Sequence, residues 1–282
     1  MKNHQSKPDW LKIRLGDSVT YGRTAALLET QGLHTICESG KCPNQGECWS
    51  RGTATFMIGG DICTRSCKFC NTRTGRPLPP DEDEAARIAK AVKELGLKHV
   101  VLTSVDRDDL PDYGVGHWVK VIDTIKEYNG LVKIEALIPD FRGEKVLINR
   151  ILQTEVDVVA HNLETVRRIT PEVRSVASYD ISLQVIAQIA ASGKIAKSGI
   201  MVGLGETTDE VEQVMADLLE AGCEVLTIGQ YLQPTRVHYP VKSYISPEQF
   251  ALYKQSGLQK GFRYIESGPL VRSSYHAENV IS

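Results

Sequence analysis

The sequence predicts an α/β fold, in which six βα units form a parallel barrel that stays open along one side. Short runs rich in β-branched residues recur six times between residues 53 and 232, and segments with an apolar period near 3.6 residues separate them. Alternation of strand and helix with right-handed crossovers gives a parallel sheet. Because the usual closed barrel has eight units, six units predict a partial (βα)6 TIM-like barrel.

The predicted barrel divides the 282 residues into three parts. Residues 1–52 form an N-terminal extension, residues 53–232 the barrel and residues 233–282 a C-terminal extension. The six strands are predicted at Thr53 to Ile58, His99 to Val105, Val132 to Leu137, Val156 to Asn162, Lys197 to Val202 and Val225 to Tyr231.

The helices between these strands are predicted from their apolar faces and their end signals. The first has an apolar stripe within residues 85–95 and stops at Gly96, since glycine readily takes the left-handed conformation that ends helices. A later helix starts with a capping box at Thr207 and Glu210 and ends near Gly222.

Composition excludes several classes of protein. Hydrophobic residues make up 41% of the chain, enough for a substantial core, yet no apolar run approaches the roughly 20 residues that cross a bilayer. With 33 basic against 35 acidic side chains, the net charge of −2 gives no global attraction to nucleic acid. No apolar signal stretch follows Met1. We therefore expect a cytoplasmic protein, or one of an organelle matrix, with no membrane and no nucleic-acid partner.

Six of the seven cysteines form two triplets with C-x4-C-x5-C and C-x3-C-x2-C spacing. They are Cys37, Cys42 and Cys48, the first triplet, and Cys63, Cys67 and Cys70, the second triplet. Disulfides would suit a small secreted chain, and a six-cysteine zinc module would suit a basic DNA-binding domain. Three thiolates around a four-iron cluster leave one iron open to a reacting molecule, which is the interpretation that we favour.

The second triplet is predicted to lie in a loop at the barrel mouth. Gly59 and Gly60 precede it and the prolines within residues 77–80 follow it, so a loop is favoured over a helix. Reactive groups of such barrels sit at the C-terminal ends of the strands, where this loop begins. Apolar residues of the N-terminal extension are expected to dock on the barrel and bring the first triplet over its mouth.

The motif C-x3-C-x2-C after a first strand, with Phe69 before the last cysteine and six βα units behind it, resembles the radical S-adenosylmethionine (SAM) superfamily. This resemblance covers most of the chain. A finer resemblance, to the lipoyl synthase family, rests on ESGKCPNQGECW at Glu38 to Trp49 and RSSYHA at Arg272 to Ala277. The runs HNLETV at His161 to Val166 and VGLGET at Val202 to Thr207 resemble the same family.

The resemblance implies radical chemistry, which suits an alkyl C–H bond because no side-chain base can remove so weakly acidic a proton. SAM would chelate the open iron of the cluster on the second triplet, accept one electron and break into methionine and a 5′-deoxyadenosyl radical. That radical takes a hydrogen from the substrate. The carbon radical then attacks a sulfide of an auxiliary four-iron cluster on the first triplet. Insertions at C6 and C8 of a protein-bound octanoyl chain give the lipoyl group.

The resemblance also implies roles for the RSSY run. A serine would bind the fourth iron of the auxiliary cluster, and Ser274 is preferred over Ser273. An oxygen ligand is harder than thiolate and should leave more readily as the cluster is dismantled. Arg272 would orient that ligand or the substrate.

The residues predicted to contact SAM follow strand ends or lie in the loop that carries the second triplet, here called the cluster loop. They are Phe69, Thr103, Ser104, Glu135, Asn162, Gly203 and Gly205. The two hydroxyls stand where many members of the superfamily carry a Gly-Gly-Glu run that holds the methionine amino group. Glu135 and Asn162 are assigned to the ribose or the methionine end, and the two glycines to close approach of backbone to adenine. Phe69 would pack over the adenine or shield the cluster, and strand-end polar residues would otherwise cap the following helices.

The implied partners are an octanoylated lipoyl-carrier domain, from a 2-oxoacid dehydrogenase E2 subunit or a glycine cleavage H protein, and a reductase, ferredoxin or flavodoxin as electron donor. Two alternatives remain at this point. A methylthiotransferase-like enzyme would ordinarily append a nucleic-acid-binding module, which the charge does not indicate. A zinc-stabilised binding protein would need closed four-ligand sites, and neither triplet has an adjacent histidine at finger spacing.

Overall fold

The computed structural model describes residues 7–12, 18–51 and 54–280. The predicted boundary at residues 52 and 53, and with it the start of the first predicted strand at Thr53, lies outside these ranges. The strands of the described part are β1 (Thr55–Ile58), β2 (Ile62–Cys63), β3 (Arg73–Thr74), β4 (His99–Ser104), β5 (Lys133–Leu137), β6 (Val158–Ala160), β7 (Ile195–Val202), β8 (Val225–Gln230) and β9 (Tyr264–Gly268).

Helices alternate with these strands and cover the outside of the barrel. The α-helices are α1 (Ser18–Thr30), α2 (Ile36–Ser39), α3 (Gln45–Ser50), α4 (Glu84–Glu94), α5 (Val115–Tyr128), α6 (Lys145–Leu152), α7 (Thr170–Val173), α8 (Tyr179–Ala191), α9 (Thr208–Glu220) and α10 (Pro247–Lys260). Three 3-10 helices cover Asp9–Leu11, Phe141–Gly143 and Ala277–Val280. None of the helices within the described ranges is long and apolar enough to cross a membrane.

Seven strands form one parallel sheet in the order β1-β4-β5-β6-β7-β8-β9, and β2 pairs with β3 separately. The predicted partial barrel is confirmed, and each of the six predicted strands is present, with those ends that lie in the described ranges shifted by no more than two residues. The seventh, β9, lies in the predicted C-terminal extension and pairs with β8, with Tyr264 opposite Val225. Its sequence, YIESG, lacks the β-branched run by which the other strands were predicted.

Local signals explain where the helices start and stop. The Thr207 side chain accepts a hydrogen bond from the Glu210 N–H, and the Glu210 carboxylate accepts one from the Thr207 N–H, so the predicted capping box is confirmed. Gly96 has a φ of +63°, which a residue with a side chain adopts only at a cost, and it ends α4 as predicted.

The C-terminal segment packs inside the lower end of the barrel. Val280 contacts a small cluster made of the first residues of β6, β7, β8 and β9, namely Val158, Ile195, Val225 and Tyr264. Since residues of a strand alternate between its two faces, this cluster belongs to the interior face of the sheet. The last described residues therefore close the barrel at the N-terminal ends of its strands, opposite the mouth.

Candidate active site

A cavity of about 310 Å³ lies at the barrel mouth and is lined by residues of both cysteine triplets. The strand ends contribute Thr103 and Ser104 from β4, Leu137 from β5 and Asn162 after β6. The cysteines that line it are Cys37, Cys42, Cys63, Cys67 and Cys70. The mouth of the barrel therefore brings together two groups of thiols that lie apart in the sequence.

The first triplet is fixed to the edge of the barrel by backbone contacts. Thr35 pairs with Phe56 in an antiparallel bridge, and the Met57 N–H donates to the His34 carbonyl at 2.9 Å. The Thr35 hydroxyl also caps α2, which places Cys37 in a buried position. The N-terminal extension thus docks beside β1, as the sequence predicts.

Cys67 and Cys70 lie in a loop, as predicted, whereas Cys63 ends the two-residue strand β2. Later parts of the chain hold that loop in place. The Cys70 N–H donates to the Cys67 carbonyl at 3.1 Å. The Lys68 N–H donates to the Val173 carbonyl at 2.8 Å, and the Lys68 carbonyl accepts from the Tyr239 N–H at 2.9 Å. Backbone hydrogen bonds with α7 and with the segment after β8 therefore hold the loop in a defined shape.

None of the seven cysteines forms a disulfide. Burial is the main cause that raises the pKa of Cys37 to about 11 and the pKa of Cys48 to about 12. Charge on Cys42 raises both values further, which places Cys48 beside the other two members of the first triplet although it does not line the cavity.

The second triplet shows the same behaviour. Burial, followed by the charge of Asp106, raises the pKa of Cys63 to about 12. Burial also raises the pKa of Cys70, and the charge of Cys67 adds to it. Grouped thiols that resist ionisation in each other's presence need a strongly cationic partner to become thiolates, and iron–sulfur clusters supply one. The donor set fits two such clusters. Within the described ranges, no three histidine, cysteine, aspartate or glutamate side chains converge closely enough for a single metal ion.

The segment that carries the RSSY run lies at the cavity and accepts hydrogen bonds from the N-terminal extension and from the residues after β6. The buried Asn44 side chain, between Cys42 and Cys48, donates to the Leu270 carbonyl at 2.7 Å. The Asn162 amide donates to the Ser273 hydroxyl at 2.8 Å. Ser274 also lines the cavity. The segment is therefore part of the site and not a frayed end.

Arg272 is placed beside the first triplet. It lines the cavity and donates to the Val271 carbonyl at 2.6 Å. Burial lowers the pKa of its guanidinium, and the nearby thiol of Cys42 acts in the opposite direction. A cation next to Cys42 suits the predicted orienting role.

Four of the residues predicted to contact SAM line the cavity: Phe69, Thr103, Ser104 and Asn162. The Thr103 hydroxyl donates to the Leu137 carbonyl at 3.4 Å, and the Ser104 hydroxyl accepts from the Trp118 indole at 3.2 Å. The Asn162 amide oxygen is buried and has no partner among the described residues. A buried acceptor of this kind favours a ligand that donates a hydrogen bond.

The other three predicted contacts lie away from the cavity. Glu135 is fully buried and its carboxylate pairs with the Lys197 ammonium at 2.7 Å inside the barrel. Gly203 lies against the Gln230 amide and the Ser243 carbonyl. Gly205 faces only Lys242. Both glycines pack against a loop and neither lines the cavity, so their contact with adenine, like that of Glu135 with SAM, stays a prediction.

Several polar residues of the site were not predicted. Arg65, Asp106, Asp140, Glu164 and Arg174 all line the cavity. Glu164 has a φ of +67°, a conformation that is strained for a residue with a side chain and that is common at functional sites. The sequence signal that could have indicated Asp106 is the charged run DRDD, which follows β4.

The comparisons with known proteins agree with this architecture. The family described as the Radical SAM superfamily matches residues 57–218. The methylornithine synthase PylB has a similar fold, with a TM-score of 0.58 and 14% identity over 89% of this chain and 83% of that chain.

Full-length relatives give a finer match. The lipoyl synthase of Parabacteroides distasonis is 59% identical over 281 residues, which cover 100% of both chains. The lipoyl synthase of Porphyromonas gingivalis strain W83 is 61% identical over 279 residues, which cover 99% of both chains. Identity at this level over the whole length, together with two cysteine triplets at one barrel mouth, places the chain in the lipoyl synthase family of the radical SAM superfamily.

Proposed function

We propose that the two triplets hold two four-iron clusters with different tasks. The second triplet would hold the cluster that binds SAM. The first triplet, together with Ser274, would hold the auxiliary cluster that donates sulfur. In this division residues 1–52 carry the auxiliary cysteines, residues 53–232 the SAM site and residues 233–282 the serine ligand. Membership of the lipoyl synthase family gives the reaction, which is insertion of two sulfur atoms into a protein-bound octanoyl chain.

The observation that supports this proposal most directly is the shared cavity. Both triplets and Ser274 line one space at the barrel mouth. An extended acyl chain that enters there would lie between the two clusters. Each of C6 and C8 could then reach both the SAM side and the sulfur side with only a small movement of the carrier domain. Reacting atoms held near contact distance remove much of the entropic barrier to such a step.

When bound, SAM and the two clusters supply the hydrogen-abstracting radical and the sulfur. The chain's own residues bind and orient. The hydroxyls of Thr103 and Ser104, which line the cavity, would accept from the methionine amino group, and the Asn162 amide oxygen would accept from a ribose hydroxyl or that amino group. Phe69 would cover the cluster loop and exclude water.

At the auxiliary cluster, Ser274 is preferred over Ser273 as the oxygen ligand. The Ser273 hydroxyl is engaged with Asn162 at 2.8 Å, whereas the Ser274 hydroxyl has no hydrogen-bond partner among the described residues and lines the cavity. Arg272, beside Cys42, would stabilise the anionic ligand set.

The substrate class follows from the family, and the partners are part of our proposal. The octanoyl chain would arrive on the lysine of a lipoyl-carrier domain, from a 2-oxoacid dehydrogenase E2 subunit or a glycine cleavage H protein. A reductase, ferredoxin or flavodoxin would supply electrons. Seven cysteines without a disulfide suit a reducing cytoplasm.

Metal analysis tests the two-cluster proposal. Iron and acid-labile sulfide would be measured after anaerobic reconstitution of the native chain and of variants with either triplet changed to alanine. We expect about eight irons in the native chain and about four in either variant.

Two results would contradict the proposal in different ways. Four irons in the native chain, lost only when the second triplet is changed, would show that the first triplet holds no cluster to donate sulfur. Zinc in place of iron would show that neither triplet holds an iron–sulfur cluster. The native chain should also convert an octanoylated carrier domain to its lipoyl form, while the variant without the first triplet should still cleave SAM but add no sulfur.

A further inference from the structure

Arg65, between the first two cysteines of the second triplet, is the centre of a buried charge cluster. Its side chain is 3% exposed, and its guanidinium contacts three carboxylates at distances of 2.8 to 3.3 Å. They belong to Asp106 and Asp108, which follow β4, and to Asp140, which follows β5. One side chain therefore ties the cluster loop to the ends of two barrel strands.

The ion pairs of Arg65 also fix two backbone N–H donors on the sulfur of Cys63. The N–H groups of Asp106 and Arg65 donate to the Cys63 sulfur at 3.3 and 3.4 Å. The Thr64 hydroxyl donates to the Asp106 carbonyl at 2.9 Å and accepts from the Asp108 N–H at 3.1 Å. The loop and the end of β4 are therefore held in register, with both donors on the sulfur.

The charges around Cys63 are unequal in sign. Three carboxylates face two guanidinium groups, those of Arg65 and Arg142, and Arg142 reaches only Asp108, at 3.1 Å. The Asp106 carboxylate lies 3.6 Å from the Cys63 sulfur. Without Arg65, the Asp106 carboxylate would lie beside this sulfur with no buried cation to neutralise its charge.

Hydrogen bonds to cluster sulfurs and the net charge nearby are two causes that set the reduction potential of an iron–sulfur cluster. Reduction adds negative charge, so N–H donors stabilise the reduced form and unpaired carboxylates disfavour it. We propose that Arg65 is a positioning residue that raises the reduction potential of the cluster on the second triplet, by holding two donors on Cys63 and by neutralising Asp106. This inference rests on the proposed function, in which that cluster must be reduced before SAM is cleaved.

The test is an EPR-monitored redox titration of the reconstituted full-length chain, following the signal that changes when SAM is added. Arg65→Lys keeps the charge but lacks the planar fork that binds several carboxylates at once. We expect the ratio of reduced to oxidised cluster at a fixed potential to fall about tenfold, which for one electron corresponds to a midpoint potential about 59 mV more negative. The matched control is Arg142→Lys, a partly exposed cation on the same Asp108, which should keep the native potential.

The outcomes separate this inference from the proposed function. If the native chain has no SAM-responsive cluster signal, the proposed function fails. If that signal is present and Arg65→Lys has the potential of Arg142→Lys, the role of Arg65 is refuted while the function stands.

A lysine variant that takes up no cluster would be replaced by Thr64→Val, which keeps every charge and removes the hydroxyl between Asp106 and Asp108. A smaller shift in the same direction supports the inference, and a native potential overturns it.

Discussion

His161 shows how a buried hydrogen-bond network selects one protonation state. Its Nδ1 lies 2.9 Å from the Ile138 carbonyl, which can only accept, and its Nε2 lies 3.0 Å from the Ser182 hydroxyl. That hydroxyl accepts from Arg174 at 2.8 Å and so donates to Nε2. Burial, and then the charge of Arg174, lower the pKa of His161 to about 4. The imidazole is therefore neutral at the cavity.

This low pKa predicts a loss of stability in mild acid. The unfolded chain takes up the proton near the ordinary value of 6.5, whereas the folded chain resists it until about 4, so stability is present above 6.5 and is lost as the pH falls towards 4. From about pH 7 to about pH 5 the loss from this group is about 2 kcal/mol. Urea unfolding of the apoprotein at both pH values measures it. His161→Gln should lose about that much less, and an equal loss in both chains would contradict the assignment.

A second residue-level prediction separates the two serines of the RSSY run. Ser274→Ala should still cleave SAM but should form lipoyl product at least about tenfold more slowly, because the auxiliary cluster would lose the oxygen ligand that we propose. Ser273→Ala, which removes only the acceptor for Asn162, is the matched control and should be affected less. Product formation per SAM cleaved, measured by mass spectrometry, distinguishes the two. A larger defect in the control would reverse the assignment.

Among the secondary-structure elements, the turn after β7 depends on a glycine that packs against β8. Gly203 has a φ of +96°, and a methyl group there would overlap the Gln230 amide and lie 2.5 Å from the Ser243 carbonyl. Gly205 has a φ of +108°, but a methyl group there would meet only the Lys242 side chain, at 3.3 Å. The two glycines therefore share backbone strain and differ in crowding.

Gly203→Ala should accordingly destabilise the protein by about 1–3 kcal/mol more than Gly205→Ala does. Denaturant unfolding of both variants gives the difference directly, because backbone strain is common to both. Equal stabilities would show that the Gln230 amide and the Ser243 carbonyl move aside without a loss of stability.

Across the whole chain, two asparagines join the N-terminal extension to the C-terminal extension and to the loop of the second triplet. Asn44 donates to the Leu270 carbonyl at 2.7 Å, and Asn71 in the cluster loop donates to the Ser39 carbonyl at 2.8 Å. These bonds link the extension to the serine-bearing segment on one side and to the second triplet on the other.

Loss of the first link should loosen the C-terminal segment selectively. In Asn44→Ala, the amides of Val271 and Tyr275, which are hydrogen-bonded within that segment, should exchange about fivefold faster or more, since the neighbouring Leu270 carbonyl loses its donor. Asn71→Ala, which removes the other link, should leave those two amides unchanged. Hydrogen exchange read by mass spectrometry tests both, and equal effects would mean that the extension moves as one body.

Sequence reasoning was reliable where local chemistry decides structure. The strand VVLTS and the capping box at Thr207 are determined by nearby residues, and both are confirmed. It says less where the role of a residue depends on a distant neighbour. Gly203 packs against Gln230 and Glu135 pairs with Lys197, contacts that the sequence does not indicate, and their roles towards SAM stay predictions. Arg65 could not be recognised, because nothing near it in sequence shows that three aspartates bury it.

The contact between Asn44 and Leu270 spans 226 positions of the sequence, with all seven strands of the main sheet between them. Contacts of such long range form late in folding, since the intervening loop must be closed first. A chain that is still folding can thus offer the cysteines of the first triplet early, but it gains the nearby serine only when the barrel is complete. Iron delivered too soon would meet an incomplete set of ligands. Maturation of this protein should therefore follow an order, with folding first and loading of the auxiliary cluster afterwards.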